Sequence, residues 1–421
     1  MMLSEVQHFL DSLGMFGWKL GLDTMHSIVE ELHEPHQQFK KIHIAGSNGK
    51  GSVARMLEAI FIEAGYCVGL YTSPHLVSPL ERIRVNGREI STRDFENGIR
   101  EIKAILEKHK ATYFEALTAL AFLFFARSKI DIGIIETGLG GRLDATNIIR
   151  PDCSIITSIS VEHSDYLGRT LQSVAVEKAG IIKKGVPCII GDLPKAAKQA
   201  ISQKCAEMKS MMIVAGEVIS ANINNEDISG TDVIFSVEEN DFVAKLRLAG
   251  NHQVENAKVA IASSMLFENV NTIARIIPKA LPRVQFPGRM QIMSRKPVVI
   301  LDVAHNPESI SALFKSIMKF FPGRKINLVL GILKDKDIES ILQIFKKNPV
   351  RIWCVTPVSD RALEGQTLHA SALSLGIDSK YVPTISTSIK QAIQCAGRQG
   401  VVVVTGSHYV VGENLGCISE Q

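Results

Sequence analysis

The stretch Gly46-Ser47-Asn48-Gly49-Lys50-Gly51-Ser52 decides the fold of this 421-residue chain. It follows the apolar run 42–45, which predicts a buried strand, and it precedes apolar residues at helical spacing over 53–60. A strand, a tight glycine loop with one lysine and a helix together bind phosphates, because glycines bring backbone N–H groups close to the anion. We therefore predict a phosphate-binding loop, with Lys50 neutralising the β- and γ-phosphates and Ser52 supporting phosphate or metal binding.

This loop departs from the common P-loop, in which Ser or Thr directly follows the lysine. Here Gly51 separates Lys50 from Ser52, so a generic kinase or GTPase fits poorly. The sequence also lacks the Asn-Lys-x-Asp stretch with which GTPase switches recognise guanine. An ordinary glycine-rich turn between a strand and a helix is the alternative, and three glycines with a lysine in this setting argue against it.

Composition limits the class of protein. Apolar residues make up 46% and charged residues 21% of the chain, which suits two domains with sizeable cores. A net charge of +4 without long runs of one sign argues against a nucleic-acid partner. Seven scattered cysteines, never in CxxC spacing, indicate a cytoplasmic protein without a zinc site. The most apolar run, 116–126, is too short to span a membrane, so we expect no membrane partner.

Short β-branched runs alternate with helical patterns along the whole chain, which predicts parallel sheets covered by helices. The predicted strands are 41–45, 68–71, 130–135, 153–159, 188–190, 233–237, 242–248, 298–301, 326–330, 351–355 and 401–404. Two prolines and a glycine interrupt regular structure over 281–289. The predicted fold is therefore α/β, with an N-terminal P-loop ATPase domain over 1–286 and a smaller, Rossmann-like α/β domain over 287–421.

Several polar side chains follow predicted strands at their carboxyl ends, where open α/β sheets bind their ligands. Ser73 follows the strand 68–71, and Glu136 closes the strand 130–135, where a carboxylate could hold Mg²⁺ beside phosphates. His163 and Asp302 follow later strands in the same way.

Each of these residues also has a structural interpretation. Ser73 before Pro74 suits a turn, and Glu136 suits a helix cap or a solvated loop. Asp302 could cap the helix that follows, and His163 could be a hydrogen-bonded structural histidine. Lys178 would ordinarily be a lysine on a helix surface. The residues alone leave these interpretations open.

Taken together, the motifs resemble those of the folylpolyglutamate synthase/dihydrofolate synthase family, relatives of the Mur peptide ligases. The matching motifs are 19–22 (KLGL), 43–52 (HIAGSNGKGS), 72–76 (TSPHL), 81–87 (ERIRVNG), 136–147 (ETGLGGRLDATN), 177–181 (EKAGI), 286–289 (FPGR), 302–307 (DVAHNP) and 405–407 (TGS). So many motifs in one order, over almost the whole chain, are far more specific than any single motif.

The resemblance assigns roles to individual residues. It implies that the ATP-binding residues are Gly49, Lys50, Gly51, Ser52, Asn256, Arg289 and Asp302. It implies two magnesium sites, whose ligands are Ser73, Glu136, His163 and a carbamylated Lys178. It implies that Lys50, His163 and Lys178 are catalytic. It implies that the pteroate or folate is bound by Thr112, Tyr113, Phe114, Glu115, Leu143, Asp144 and Ala145.

The reaction implied by the resemblance is ATP-dependent amide formation by a monomeric enzyme. ATP would phosphorylate an acceptor carboxylate, and the amine of L-glutamate would displace the phosphate. The implied acceptors are 7,8-dihydropteroate and reduced folates, and the stretch 143–145 favours both over either alone.

Three other functions are alternatives to this one. A Mur-type ligase for a UDP-sugar is the nearest rival, and the 45 residues before Gly46 are too few for its N-terminal domain. A nucleotide switch without ligase activity is the second rival. A kinase that releases the phosphorylated product is the third.

Overall fold

The computed structural model describes residues 3–14, 21–161, 163–247, 249–285, 287–346 and 348–415. The described helices are α1 (Leu3–Ser12), α2 (Asp23–Glu31), α3 (Lys50–Glu63), α4 (Thr92–Lys108), α5 (Tyr113–Arg127), α6 (Ser164–Leu167), α7 (Leu171–Ala179), α8 (Lys195–Glu207), α9 (Ala215–Val218), α10 (Asn251–Ser264), α11 (Val270–Ala280), α12 (Pro307–Phe320), α13 (Ile338–Lys346), α14 (Gly365–Ser374), α15 (Ile385–Ala396) and α16 (His408–Leu415). The described strands are β1 (Lys40–Ala45), β2 (Val68–Tyr71), β3 (Ile83–Val85), β4 (Arg88–Glu89), β5 (Ile132–Glu136), β6 (Cys153–Ile156), β7 (Cys188–Ile190), β8 (Met212–Val214), β9 (Ser220–Asp227), β10 (Gly230–Val237), β11 (Asn240–Leu246), β12 (Gln291–Arg295), β13 (Val298–Leu301), β14 (Ile326–Leu330), β15 (Val350–Cys354), β16 (Ser379–Tyr381) and β17 (Val401–Thr405).

The chain divides into two compact units. The first unit comprises Met1–Ile223, Val233–Lys245 and Gln253–Val284. The second comprises Asn224–Asp232, Leu246–His252 and Gln285–Gln421. The division into domains 1–286 and 287–421 stays a prediction, and these units differ from it because two short earlier segments belong to the second unit.

The first unit is built on a sheet with the strand order β4-β3-β2-β5-β1-β6-β7-β8. β1 pairs in parallel with β5 on one side and with β6 on the other. Only β3 and β4, at one edge, run antiparallel to their neighbours. Parallel strands buried on both faces are near-continuous apolar runs, and the last four residues of β1 are all buried.

The order of these strands places a topological switch point at the end of β1. The chain leaves β1 through α3 and returns in β2, which lies beyond β5, whereas β6 lies on the opposite side of β1. In open α/β sheets the crevice at such a point, beyond the carboxyl ends of the strands, is where ligands bind. The glycine loop 46–52 starts at this crevice.

The second unit contains a sheet with the order β12-β13-β17-β14-β15-β16, in which only β12 is antiparallel to its neighbour. β13, β14 and β17 are almost entirely buried and mostly aliphatic, as a central parallel strand requires, with Asn327 and Thr405 as their polar residues. Helix α12 packs against α13 there, with the rings of Phe314 and Phe345 centred 4.8 Å apart. The predicted α/β class with a parallel sheet in each half is therefore confirmed.

The sequence predicted the buried strands better than the exposed ones. The short strands β3, β4, β8, β12 and β16 were not predicted, nor was β9, which lies beside β10 in a separate three-stranded sheet. β9 is exposed along most of its length, so no alternation of apolar residues marks it. The strand predicted over 153–159 ends at Ile156, because the residues after it bond the glycine loop instead. Leu248, the last residue of the strand predicted over 242–248, lies outside the described residues.

In the part of the chain that the structure describes, no helix combines the length and the apolar character that crossing a membrane requires.

Burial of a histidine in β1 should make the free energy of unfolding depend on pH. His43 is completely buried, and its burial, with a smaller effect from Lys183, lowers its pKa to about 3. Between that value and the ordinary pKa of 6.5, the unfolded chain binds a proton that the folded chain does not. The free energy of unfolding should therefore fall as the pH falls through this range. We expect His43→Gln, measured by urea denaturation between pH 7 and about pH 4, to show a shallower fall than the wild type.

The matched control is His8→Gln, because His8 is exposed on α1. It should keep the pH dependence of the wild type. An unchanged pH dependence in His43→Gln would contradict the buried, neutral state of His43.

Candidate active site

The glycine loop leads into α3 with the geometry of an anion-binding helix end. Gly49 is the N-cap of α3 and has a φ of +84°, a left-handed conformation that favours glycine. A Cβ on Gly49 would overlap the side-chain oxygen of Asn256, which belongs to α10. The loop therefore requires glycine here, and Asn256 lies directly beside the N-terminus of α3, as the ATP contact predicted for it would require.

Residues that follow β6 hold the loop in place. Asn48 donates its backbone N–H to the hydroxyl of Ser158 (2.8 Å), and its carbonyl accepts the hydroxyl of Thr157 (2.6 Å). Ser47 donates its backbone N–H to the carbonyl of Ser158 (2.9 Å), and its hydroxyl accepts the N–H of Ser160 (3.0 Å). The conformation of the loop is thus fixed by hydrogen bonds from the neighbouring strand end before any ligand arrives.

Two lysines share one carbonyl oxygen at the start of this loop. Lys50 Nζ donates to the carbonyl of Gly46 at 2.7 Å, and Lys178 Nζ donates to the same oxygen at 2.9 Å. Lys178 is only 2% exposed. It is therefore a buried group at the loop, and the interpretation of Lys178 as a lysine on a helix surface is wrong.

Ser73 and Glu136, each of which the sequence placed at a strand end, lie together. The backbone N–H of Ser73 donates to Glu136 Oε2 at 3.3 Å, and Glu136 is buried at the end of β5. Both side chains offer oxygen, which Mg²⁺ prefers, so the pair fits a magnesium site. Among the described residues no three His, Cys, Asp or Glu side chains are grouped as they would be around a metal. The predicted ligand set is of another kind, since it includes a serine and a modified lysine.

His163 immediately precedes the short helix α6. Its φ is +45°, and its carbonyl accepts the N–H groups of Tyr166 and Leu167, both at 2.9 Å. Histidine adopts this left-handed conformation more readily than most residues, and such conformations concentrate at functional sites. Its role as a metal ligand stays a prediction.

The two segments predicted to hold the pteroate or folate line one pocket of the first unit. Thr112, Phe114 and Glu115 come from the start of α5, and Leu143–Ala145 come from the loop after β5. The other residues along this pocket are Gly21, Leu139, Gly140, Gly141, Arg142, Tyr166, Leu167 and Glu177. The structure therefore brings together residues that are about thirty positions apart in the sequence.

Tyr113 has a different position from its neighbours in this set. Its ring is 1% exposed, lies 5.5 Å from the guanidinium of Arg82, and does not belong to the pocket lining. Arg82 in turn donates to Nδ1 of His75 at 2.8 Å. Burial, with a smaller effect from Arg82, lowers the pKa of His75 to about 3, so its ring is neutral and can accept this bond. Tyr113 thus packs with the loop that carries Ser73.

Asp144 uses both carboxylate oxygens to shape the pocket loop. Oδ2 accepts the N–H groups of Gly138 and Leu139, both at 2.8 Å. Oδ1 accepts the N–H and the hydroxyl of Thr146, at 3.0 and 2.5 Å. The Thr146 hydroxyl also lies 2.8 Å from Nε2 of His43. Burial raises the pKa of Asp144, while these hydrogen bonds oppose the rise.

In the second unit, Asp302 shapes the loop after β13. Its two oxygens accept the N–H groups of Met290 and Ala304, both at 2.8 Å. Burial raises the pKa of Asp302, and the charge of Arg289 and the two N–H groups oppose the rise. The N-cap of α12 is Asn306, so the interpretation of Asp302 as the helix cap is wrong. The ATP contacts of Arg289 and Asp302 stay predictions.

Sequence reasoning missed several residues of the site. The hydroxyl side chains at 157–160 hold the phosphate loop, and the ion pair of Arg142 with Glu177 (2.9 Å) lies along the pocket with Tyr166. A signal existed for the first group, because hydroxyl residues directly follow a strand next to β1. Lys19, Leu20 and Phe286, which belong to the motifs, lie outside the described residues.

Two family models match this chain. The model described as the Mur ligase middle domain matches residues 44–264. The model described as the Mur ligase, glutamate ligase domain matches residues 288–408. The first match contains the phosphate loop, Glu136 and Lys178, and the second contains Asp302.

Relatives of the chain match along nearly its whole length. A dihydrofolate synthase/folylpolyglutamate synthase of Bacillus subtilis is 33% identical, over 94% of this chain and 95% of the relative. A probable bifunctional folylpolyglutamate synthase/dihydropteroate synthase of Halobacterium salinarum is 33% identical over 98% of this chain. The chain spans about half (51%) of the length of that second relative.

Solved structures agree with these relatives. A Mycobacterium tuberculosis folylpolyglutamate synthase complexed with ADP has a TM-score of 0.90 at 29% identity, covering 100% of this chain and 99% of that one. E. coli FolC in complex with DHPP and ADP has a TM-score of 0.86 at 31% identity, covering 100% and 98%. A bifunctional folylpolyglutamate synthase/dihydrofolate synthase with Mn, AMPPNP and L-glutamate bound has a TM-score of 0.86 at 30% identity, covering 98% of each chain.

Gly46 lies so close to Thr157 that a single added methyl group should disturb the loop. A Cβ on Gly46 would overlap the side chain of Thr157, which itself bonds the loop. We expect Gly46→Ala to lower the affinity for a non-hydrolysable ATP analogue roughly tenfold to a hundredfold, because the loop must move. Isothermal titration calorimetry measures this change. Gly216→Ala in α9 is the matched control, since a Cβ there meets only Lys258 Nζ at 3.5 Å. Equal affinities for the two variants would contradict the tight fit of the loop.

Proposed function

The chain belongs to the folylpolyglutamate synthase/dihydrofolate synthase family, and from this membership we propose that it adds L-glutamate to 7,8-dihydropteroate and to the γ-carboxyl of tetrahydrofolates, using ATP. Both additions form an amide between an acceptor carboxylate and the amine of glutamate. The proposed enzyme is thus an ATP-dependent ligase that joins L-glutamate to either of two related acceptors.

One observation supports this function most directly: the pocket and the phosphate loop share a helix end. Glu177 lines the pocket, and the next residue, Lys178, bonds the carbonyl of Gly46. Gly141 packs against the carbonyl of Lys178 so closely that a Cβ would strain the contact, and the Arg142 N–H donates to the carbonyl of Glu177 at 2.8 Å. An acceptor held in this pocket therefore lies next to the loop that binds phosphates.

The chemistry explains why a phosphate loop belongs beside an acceptor pocket. A carboxylate is a poor electrophile, because its charge repels nucleophiles and oxide is a poor leaving group. Transfer of the γ-phosphoryl group of ATP to the carboxylate gives an acyl phosphate and ADP. The amine of L-glutamate then attacks the acyl carbon, and phosphate leaves. Lys50 and the N–H groups of 49–52 stabilise the negative charge that develops during the first step.

We propose that Ser73 and Glu136 hold a magnesium ion on the phosphate side of the site, and that His163 and a carbamylated Lys178 hold a second one. The pairing of Ser73 with the buried Glu136 supports the first of these sites. Bound there, Mg²⁺ would neutralise charge on the phosphates.

The contacts of Lys178 support its carbamylation. Lys50 and Lys178 both donate to the Gly46 carbonyl, so two positive charges would lie within a few ångströms in a buried place. A lysine adds CO₂ through its neutral amine, with loss of a proton, and a carbamate at Lys178 would replace one of these two cations by an anion. The carbamate that results carries a negative charge beside Lys50 and offers oxygen atoms to a metal.

Further assignments complete the proposal. Asn256, Arg289 and Asp302 contact ATP, as the family resemblance implies. Thr112–Glu115 and Leu143–Ala145 hold the pteroate part of the acceptor, with Tyr113 supporting the pocket from outside its lining. The enzyme acts as a monomer in the cytoplasm and requires neither nucleic acid nor membrane.

The activity test compares the two acceptors directly. The protein is incubated with ATP, Mg²⁺, L-glutamate and either 7,8-dihydropteroate or tetrahydropteroyl monoglutamate, and products are measured by mass spectrometry. We expect one glutamyl unit to be added to each acceptor, with one ADP formed per amide. Lys50→Met should reduce the rate at least about a hundredfold, because it removes the cation from the phosphate loop.

Product from only one acceptor would restrict the enzyme to that single step. The absence of a glutamyl product from both acceptors would contradict the proposed function and favour a Mur-like ligase with another carboxylate acceptor.

Carbamylation of Lys178 has its own test. The protein is equilibrated with ¹³C-bicarbonate, and the carbamate carbon is observed by ¹³C NMR. We expect a carbamate signal in the wild type and none in Lys178→Arg, whose guanidinium does not add CO₂ under these conditions. The control is Lys183→Arg, since Lys183 is a part-buried lysine on the same stretch that bonds the carbonyl of Asn147. A signal that persists in Lys178→Arg, or a wild type without one, would contradict the modification.

A further inference from the structure

The last turn of α7 crosses the pocket loop, residues 137–147, at backbone contact. Gly180 directly follows α7 with a φ of −58°, which any residue adopts, yet a Cβ there would lie 2.4 Å from the Cα of Arg142. In the pocket loop, a Cβ on Gly141 would lie 2.8 Å from the carbonyl oxygen of Lys178. Both glycines are therefore required by the close approach of two segments, which leaves no room for a side chain between them.

Hydrogen bonds fasten the two segments on both sides of Lys178. The Arg142 N–H donates to the carbonyl of Glu177 at 2.8 Å, and Asn147 Nδ2 donates to the carbonyl of Gly180 at 3.1 Å. The last carbonyl groups of a helix lack partners within the helix, and here donors from a distant part of the chain bond them. Lys178 is thus held through its neighbours, one residue before it and two residues after it.

Asn147 joins the two segments from a buried position. Its side chain is 4% exposed, and Nδ2 also donates to the carbonyl of Arg142 at 2.9 Å, so one NH₂ group bridges the pocket loop and the end of α7. Its Oδ1 accepts no hydrogen bond from the described residues. A buried, unpaired oxygen is costly, and an apolar side chain of the same shape would avoid that cost. The hydrogen bonds of the NH₂ group therefore account for an amide at this position.

The other side chains at the crossing are more exposed. The guanidinium of Arg142 pairs with Glu177 at 2.9 Å, but 53% of the Arg142 side chain is exposed, and exposed ion pairs contribute little to stability. Lys183 Nζ donates to the backbone carbonyl of Asn147 at 3.0 Å, so this bond also ends on Asn147. Asn147 is therefore the buried side chain on which the crossing depends.

We propose that Asn147 is a positioning residue, which holds the last turn of α7 so that Lys178 Nζ reaches the carbonyl of Gly46. Asn147 does not line the pocket, so it acts through Lys178 rather than on a substrate. The inference rests on the proposed function, because the catalytic role of Lys178 is part of that function. If the last turn moved, Nζ would leave the oxygen that it shares with Lys50. A carbamate on a displaced Lys178 would lose this nearby cation, so more bicarbonate would be needed to form it.

The first test measures how firmly Lys178 is held. Native protein in bicarbonate-free buffer is treated with N-hydroxysuccinimidyl acetate, and acetylation of Lys178 is followed by peptide mass spectrometry. The wild type should react slowly, because Lys178 is only 2% exposed. Asn147→Leu keeps a similar side-chain size and loses both hydrogen bonds of the NH₂ group, so we expect acetylation of Lys178 to be roughly tenfold faster.

The second test uses the bicarbonate dependence of the reaction, which a loss of stability alone would not change. For Asn147→Leu we expect the carbamate ¹³C signal to need roughly tenfold more bicarbonate for half-saturation. The kcat for glutamate addition should fall at low bicarbonate and recover at high bicarbonate. Gly180→Ala disturbs the same crossing from the other segment, so it should give the same results, including where Asn147→Leu does not fold.

The matched control is Asn348→Leu, because the NH₂ group of Asn348 donates to the carbonyl of Ile344 at 2.8 Å in the last turn of α13. It removes the same kind of hydrogen bond from another helix end and should leave both measurements unchanged. Acetylation of Lys178 at the wild-type rate in Asn147→Leu, or in Gly180→Ala if the first variant does not fold, would overturn the inference.

Failure of the proposed function gives a different result. A wild type that forms no glutamyl product with either acceptor contradicts that function. A wild type that forms product without a carbamate signal contradicts the carbamylation, and the acetylation rates of Lys178 then decide the role of Asn147.

Discussion

The carbonyl oxygen of Gly46 is the point on which the rest of the site depends. It receives Lys50 from the start of α3 and Lys178 from the end of α7, two helices separated by more than a hundred residues. The contact joins the phosphate loop to α7. Glu177, the residue before Lys178 in that helix, lines the proposed acceptor pocket. Because both cations are held by one oxygen, a change in the charge of either lysine alters the environment of the other. The proposed phosphate site, the proposed carbamate and the proposed acceptor pocket are therefore linked through this one oxygen.

The sequence predicted those parts of the fold whose residues are buried on both faces. Runs such as 298–301 and 401–404 are apolar throughout, because helices cover both sides of a central parallel strand. Edge strands are short, and β9 is mostly exposed, so burial imposes no periodic pattern on them. The segments that join the second unit before residue 285 could not be predicted either, since contacts distant in sequence determine them.

The candidate site was predictable to a similar, limited extent. The sequence placed Glu136 and Ser73 each at a strand end, and the structure brings them together because parallel strands end at one edge of the sheet. The hydroxyls that hold the loop were missed, since their role follows from the pairing of β6 with β1 rather than from a motif. Nor could the sequence show that Asp144 engages both its carboxylate oxygens within its own loop, because the hydrogen bonds of individual atoms leave no pattern in the sequence.

In the proposed reaction, the phosphate loop activates the acceptor carboxylate as an acyl phosphate. The most direct measurement uses 7,8-dihydropteroate labelled with ¹⁸O in both carboxylate oxygens and follows the label by mass spectrometry. We expect each amide formed to release one phosphate that carries one ¹⁸O atom, with the other ¹⁸O retained in the amide product. Phosphate without ¹⁸O would contradict it, because the carboxylate oxygen would then never have been bonded to phosphorus.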